Sequence, residues 1–108
     1  VLMLKKKLFP TILFAASFSV FAGDATNCLD VRKNQFGGQE LFNKCGYPVE
    51  AIWCYYGDRN RCTRYDNQLT IGSGKSYGLI ANKQVLVAGC IGADSIKKKS
   101  GTTHWCKD

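Results

Sequence analysis

Histidine and closely paired cysteines are scarce in this chain. It has one histidine, His104, and no two cysteines in a Cys-x-x-Cys spacing. A structural zinc site draws its ligands from such pairs, so the sequence predicts no metal centre. A single imidazole also excludes acid–base catalysis by two histidines. No segment with helical period, no repeat and no linker is visible, and no motif indicates an organic cofactor.

Long apolar runs are equally scarce, and the one that exists lies at the start of the chain. A run of three lysines precedes an apolar stretch over residues 8–21, and the small residue Ala22 follows it. This order is typical of a secretory signal peptide. The stretch is shorter than the ~20 apolar residues that a bilayer span requires, and polar residues interrupt it. We therefore expect residues 1–22 to be a signal peptide that is removed on export.

The mature domain would then comprise residues 23–108, which is 86 residues. Removing three lysines and no acidic residue lowers the formal net charge from +7 to +4. That charge suits solubility as well as it suits any ligand. Gly23 and Asp24 follow the expected cleavage site, so no cysteine stands there to carry a bacterial lipid anchor. These features predict one exported domain, periplasmic or secreted, with no stable membrane insertion.

All six cysteines lie in this mature domain. A chain this short builds a thin core, and an even cysteine count in an exported protein predicts three disulfides. The turn-like stretch 55–61 favours a bridge between the cysteines that flank it. Cysteines near the two mature ends would tie those ends together, and the remaining two would form a long-range bridge. The predicted pairs are Cys54–Cys62, Cys28–Cys106 and Cys45–Cys90.

Alternation with a period of two residues runs along the chain. Residues 49–56 alternate behind a starting proline, and residues 84–91 are nearly all apolar, which indicates a central strand covered on both faces. Turn-forming glycines separate the elements, and the polar stretch 94–102 is predicted to be a loop. Such short, evenly spaced strands predict an all-β fold, a small antiparallel sandwich or barrel stapled by three disulfides. Weaker strand candidates are 28–32, 39–43, 68–71, 76–80 and 103–106.

A spacing pattern covers residues 41–92, which is most of the mature domain. It resembles the pattern of short exported bacterial proteins of no established function, although Cys28 and Cys106 are not part of it. The resemblance implies an all-β disulfide domain and carries no catalytic residues to transfer. The matching residues are Asn43-x-Cys45, Pro48-Val49, Trp53-Cys54, Cys62, Gly74-x-Ser76 and Cys90-x-Gly92.

One catalytic arrangement is compatible with a single histidine. Small exported ribonucleases can work with a glutamate base, a histidine acid and arginines on the phosphate. Glu40 or Glu50 could supply the base and His104 the acid, with Arg59 and Arg61 on the phosphate. Nothing in the spacing of these residues supports the assignment, so we expect no enzyme.

The stretch between the cysteines of the first predicted pair is the sharper candidate for a functional site. A disulfide across it would order the loop and so lower the entropic cost of binding. Tyrosine and arginine are the side chains over-represented at interface hot spots. The alternative is that the first tyrosine is a core residue and the arginines are solvated. The candidate contact residues are Tyr55, Tyr56, Arg59 and Arg61.

A run of three lysines is the second candidate. Lys97, Lys98 and Lys99 lie between serine-containing flanks and could bind a polyanion such as lipopolysaccharide or a wall polymer. A charge run of this kind is more often a solvated surface.

Several function classes stay open beside a binding domain of unknown ligand. A disulfide-bounded loop that presents Arg59 or Arg61 could inhibit a trypsin-like protease. A small basic exported ribonuclease or toxin is a further alternative, although no amphipathic cationic stretch survives signal removal. Inhibition of lysozyme is disfavoured, because lysozymes are commonly basic and would be repelled by a +4 partner. We expect the protein to act by binding rather than by catalysis, with a protein or an anionic polymer as partner.

Overall fold

A computed structural model describes residues 23–57 and 61–107. The predicted signal peptide, residues 1–22, lies outside the described residues, as do Arg59 and its two neighbours. A single turn of 3-10 helix, Thr26–Cys28, precedes eight strands. In chain order these are β1 (Leu29–Lys33), β2 (Gln39–Asn43), β3 (Val49–Tyr56), β4 (Asn67–Ile71), β5 (Ser76–Leu79), β6 (Gln84–Ile91), β7 (Ile96–Ser100) and β8 (Thr103–Cys106).

The first six strands form two antiparallel sheets. The first sheet has the strand order β1-β2-β5 and the second has the order β4-β3-β6. In the second sheet Trp53 of β3 stands opposite Asn67 on one side and Val87 on the other. The predicted all-β fold is therefore confirmed, and each of the predicted strands forms within one residue of its expected bounds.

The third sheet is a β7–β8 hairpin in a place where the sequence predicts a loop. Ser100 pairs with Thr103 and Ile96 with Cys106, with a bulge between Ile96 and Lys98. The prediction of a loop over residues 94–102 is wrong, because consecutive lysines conceal the alternation of side chains that a strand imposes. The pairing partner, β8, supplies the stability that the lysine-rich strand lacks.

The main core lies between the first two sheets. Leu41 of β2 packs against Ala51 and Trp53 of β3, and all three are buried. Alternate residues of β3 point the other way, where Ile52 joins a second cluster with Tyr65 beneath the β7–β8 hairpin. The first six residues of β3 are consequently buried on both faces. Burial of this kind supplies the main driving force for folding in so short a chain.

The prediction that residues 84–91 form a central strand is wrong, because β6 stands at the edge of its sheet. Its buried part is Ala88–Cys90, where part of its edge is also covered, whereas Leu86 is exposed. The amide of Ala25 donates to the carbonyl of Gly89 (2.9 Å), and the amide of Ile91 donates to the carbonyl of Gly23 (2.8 Å). At Gly89 a side chain would meet Val49 at 2.8 Å, so glycine is required by close packing.

The three disulfides join Cys28 to Cys45, Cys54 to Cys62 and Cys90 to Cys106. The predicted Cys54–Cys62 bridge is confirmed. The predicted pairs Cys45–Cys90 and Cys28–Cys106 are wrong. Antiparallel pairing of β1 with β2 brings Cys28 and Cys45 to a Cα separation of 5.3 Å, and the return of β8 toward β6 brings Cys90 and Cys106 to 5.6 Å. Strand register, which spacing alone does not reveal, decides both pairs.

The disulfides indicate an oxidising compartment, because structural bridges persist where thiols are not kept reduced. Every cysteine is paired in the part of the chain that the structure describes. Within the same residues, none of the helical structure is long and apolar enough to cross a membrane.

Candidate functional site

A cleft of about 520 Å³ opens where β1 and β6 diverge at one end of the sandwich. A smaller depression of about 240 Å³ adjoins it and shares Tyr56 and the β5–β6 turn as lining. The larger volume falls within the ~300–1,000 Å³ of typical small-ligand sites. The cleft is lined by Val31, Lys33, Gly37, Gln39, Tyr56, Asn82, Lys83, Gln84 and Val85.

Short turns hold the walls of this cleft. The β1–β2 turn is closed by Asn34, whose side-chain oxygen accepts the amides of Phe36 (2.9 Å) and Gly38 (3.0 Å). Across the cleft, the side-chain amide of Gln39 donates to the carbonyls of Ile80 and Lys83, at 2.7 Å each. These bonds fix the β5–β6 turn against β2. The walls are thus ordered before any ligand arrives, which lowers the cost of binding.

The cleft is positively charged. Lys33 of β1 and Lys83 of the β5–β6 turn both line it, and both are exposed. Among the described residues its lining includes no acidic side chain. Half-buried Val85 and exposed Val31 add apolar surface to the lining. The arrangement suits a ligand that carries negative charge together with some apolar surface.

The predicted contact loop begins at the rim of this cleft. The ring of Tyr55 packs against the inter-sheet core, and its hydroxyl accepts hydrogen bonds from the Trp53 indole (3.2 Å) and the Ile80 amide (3.3 Å). Tyr56 points to the opposite face, is 39% exposed and lines both depressions. Arg61 is exposed, and Arg59 lies outside the described residues. Of the two tyrosines, therefore, only Tyr56 is placed to contact a ligand.

The second candidate, the lysine run, is divided by the strand that contains it. Lys98 lies over the ring of Trp105, with its amine 5.0 Å from the ring centre. The amine of Lys99 donates to the side-chain oxygen of Gln68 at 3.0 Å. Lys97 is exposed beside the bulge. The three amines thus have different surroundings and do not form one uniform patch.

Lys99 is the outer end of a polar relay that leads from the surface to a buried carboxylate. Gln68, which accepts from Lys99, donates through its amide nitrogen to Glu50 at 2.6 Å. The other carboxylate oxygen of Glu50 accepts the amides of Ser95 (2.5 Å) and Ile96 (2.8 Å). This relay attaches the β7–β8 hairpin to the central strand β3. Glu50 is 6% exposed and is engaged in structure.

The other groups considered for catalysis belong to separate sheets. Glu40 lies on β2, where it forms an ion pair with Arg32 at 2.8 Å. His104 lies on β8, with its ring edge-on to Tyr65 and its Nε2 atom 4.0 Å from a carboxylate oxygen of Asp24. Glu40 and His104 therefore lie in different sheets and contact different residues.

His104 lies close to two cysteines, and histidine and cysteine are common metal ligands. A ring nitrogen of His104 and the sulfurs of Cys90 and Cys106 all lie within 4.8 Å of one another. The two sulfurs are joined in a disulfide, whereas a metal ligand must be a thiolate. Within this group only the imidazole is free to coordinate, so the arrangement does not make a metal centre.

Tyr65 lies in the buried cluster beneath the β7–β8 hairpin. Burial raises the pKa of its phenol, because the charged phenolate loses solvent. The folded chain therefore holds this proton more tightly than the unfolded chain. The contribution of the protonated phenol to the free energy of unfolding is complete below the usual tyrosine pKa of about 10. It is lost as the pH rises through the raised pKa.

Replacing Tyr65 by phenylalanine should remove this alkaline sensitivity. We expect Tyr65→Phe to lose less unfolding free energy than wild type between about pH 8 and pH 11, because it has no phenol to ionise. Urea denaturation of both proteins at the two pH values measures the difference. Equal losses in the two proteins would show that burial of this phenol has no influence on alkaline stability.

Comparisons with models of protein families, with curated proteins and with solved structures gave no match for this chain. Lys33 and Lys83 are not among the residues predicted from the sequence, since each is a basic residue near a turn with no motif around it. The only signal that could have found them is the placement of each beside a predicted strand, since their meeting depends on the sheet order.

Proposed function

We propose that this protein is a binding domain whose ligand occupies the cleft between β1 and β6. The observation that carries the proposal is that Lys33 and Lys83 both line a cleft of about 520 Å³, whose walls are held by hydrogen bonds. Two amines facing one ligand favour an anionic group, since opposite charges attract across a short distance. Tyr56 at the rim adds a half-exposed ring to the contact surface.

Binding is favoured over catalysis by the state of the groups that chemistry would need. The carboxylate of Glu50 is engaged by three hydrogen-bond donors. A general base must lie within reach of a substrate proton, whereas this carboxylate is occupied by donors of its own chain. The sulfurs of the six cysteines are committed to bridges. The proposed role is that of an exported interaction domain, as in the expectation from sequence, but with the cleft rather than the whole tyrosine–arginine loop as its centre.

The proposal is tested by removing the two cleft amines. The double variant Lys33→Gln, Lys83→Gln should bind a sulfated heparin hexasaccharide and a hexaglutamate peptide about five- to tenfold more weakly than wild type, since exposed charge contacts contribute modestly. The matched control is Lys97→Gln, Lys98→Gln, which makes the same change in net charge. Isothermal titration calorimetry at low salt gives the affinities, because screening weakens such contacts.

The control pair also separates the two candidate sites. Equal weakening by both double variants would mean that net charge alone governs binding and would overturn the cleft. Stronger weakening by the control pair would transfer the site to the lysine run. Amide chemical-shift changes at Gly37 and Gln84 on titration would place the probe in the cleft directly.

A further inference from the structure

Both strands that flank the cleft are edge strands. β1 is an outer strand of the first sheet and β6 is an outer strand of the second. At their far ends they are in contact, where the side chain of Leu29 lies directly over Gly89. Toward the cleft they separate, so that Val31 and Val85 line opposite walls. The cleft is therefore a gap between two sheet edges.

The backbone of β6 directs alternate polar groups away from β3. The carbonyl of Gly89 and the amide of Ile91 bond to the Gly23–Ala25 segment, so both point away from β3. In a strand, the amide and carbonyl of one residue lie on one side and those of the next residue lie on the other side. Val85 and Val87 are odd-numbered like Gly89 and Ile91, so their amides and carbonyls also point away from β3. Within residues 23–57 and 61–107, no backbone group bonds to the amide or carbonyl of either valine on that side.

The backbone of β1 has the same property. The carbonyl of Cys28 accepts the amide of Lys44 (2.9 Å), and the amide of Asn34 donates to the carbonyl of Gly38 (2.9 Å). The even-numbered residues between them consequently face β2. Val31 and Lys33 direct their amides and carbonyls outward, away from β2. Each of the two strands that flank the cleft thus has an outward row of backbone donors and acceptors.

Resting on the proposed binding function, we propose that the ligand is an extended acidic segment of a partner polypeptide, which adds to β6 as a new strand. Addition of a strand to an exposed sheet edge is a general mode of peptide recognition, in which main-chain bonds provide affinity and side-chain pockets provide specificity. The C-terminal half of this edge, at Gly89 and Ile91, already has Gly23–Ala25 as a strand-like neighbour. A peptide pairing with Val85 and Val87 would continue that row.

The side chains around the gap define the chemistry of the segment. Its inward residues would meet Val31 and Val85, which favours apolar side chains at alternate positions. Lys33 and Lys83 would face its remaining residues, which favours glutamate or aspartate there. A polysaccharide could satisfy the amines but has no regular series of amides and carbonyls to match the edge. The combination of a charged wall with an open backbone edge favours a peptide.

The test measures amide hydrogen exchange by NMR with a blocked peptide of alternating glutamate and valine, about six residues long to match a typical strand. The amides of Val85 and Val87 should exchange rapidly in the free protein, because they lack a partner. Saturating peptide should slow them at least tenfold. The amide of Leu86, which pairs with β3, should be protected in both states.

Two controls distinguish failure of this inference from failure of the proposed function. A peptide N-methylated at alternate residues and a sulfated heparin hexasaccharide retain charge but cannot form the full strand pairing. If all three probes shift the cleft resonances equally, without protecting Val85 or Val87, strand addition is excluded while the cleft remains an anion site. If none of them shifts the cleft resonances, both proposals fail. Protection of Val31 and Lys33 instead would contradict the assignment to β6.

A backbone variant supplies independent support. Val87→Pro removes one outward amide at a residue outside the cleft lining, and proline is tolerated at the edge of a sheet. The variant should bind the glutamate–valine peptide at least fivefold more weakly and bind the hexasaccharide as wild type does. Unchanged peptide affinity in a folded variant would contradict pairing at this residue. Should the variant fail to fold, the N-methylated peptide decides the question in the wild-type protein.

Discussion

Replacing Glu50 by alanine is expected to reduce the free energy of unfolding by about 3–5 kcal/mol. The carboxylate accepts three hydrogen bonds, including the amides of Ser95 and Ile96, and hydrogen bonds to charged groups contribute about 1.5–3 kcal/mol each. The alanine variant leaves those donors unpaired in a largely buried site. Chemical denaturation measures the loss, and amide exchange should show Ser95 and Ile96 opening first.

Two matched changes test whether the loss comes from this relay. Glu50→Gln keeps a side-chain oxygen for the two backbone amides and should cost less than the alanine variant. Glu40→Ala removes a carboxylate of the first sheet whose partner, Arg32, is largely solvent-exposed, and should cost at most about 1 kcal/mol. Comparable losses at Glu40 and Glu50 would mean that the buried relay contributes nothing particular to stability.

Replacing Asn43 by alanine is expected to have an effect of similar size, about 3–5 kcal/mol. This side chain is completely buried at the end of β2. Its nitrogen donates to the carbonyls of Tyr47 (2.8 Å) and Ile71 (2.9 Å), and its oxygen accepts the amide of Cys45 (3.0 Å). One residue thus closes the β2–β3 turn and ties it to the end of β4. Its loss leaves several backbone groups without partners at once.

The same substitution elsewhere provides the control. Asn67 is half-buried and donates one long-range hydrogen bond, to the carbonyl of Trp53 at 3.2 Å. Asn67→Ala should therefore cost about 1 kcal/mol. Thermal and urea unfolding of both variants measures the contrast. A loss at Asn43 no larger than that at Asn67 would show that the turn is held by the Cys28–Cys45 bridge alone.

The strands of the two main sheets could be predicted because their side chains alternate or are continuously apolar. Residues 49–56 show both the pattern and the starting proline, and they form the central strand β3. Strand β7 could not be predicted, because its lysines resemble a solvated loop. Its place depends on pairing with β8 and on the buried carboxylate of Glu50, which bonds to the hairpin from a distant part of the chain.

The candidate site was less predictable than the fold. The loop between Cys54 and Cys62 begins at the rim of the cleft, since Tyr56 lines it. Lys33 and Lys83 are far apart in sequence, and both line the cleft only because β1 and β6 come together from two different sheets. Sheet order is set by long-range packing rather than local composition. For the same reason, two of the three disulfide pairs could not be derived from spacing.

The order of the disulfides has a consequence for biosynthesis. Each cysteine is bonded to the next one along the chain: Cys28 to Cys45, Cys54 to Cys62, and Cys90 to Cys106. No bridge encloses or crosses another. A chain that crosses a membrane from its N-terminus would therefore reach the native pairing if every newly arrived thiol were oxidised with the one immediately before it. Oxidation in that order would need no disulfide isomerase to correct the pairings.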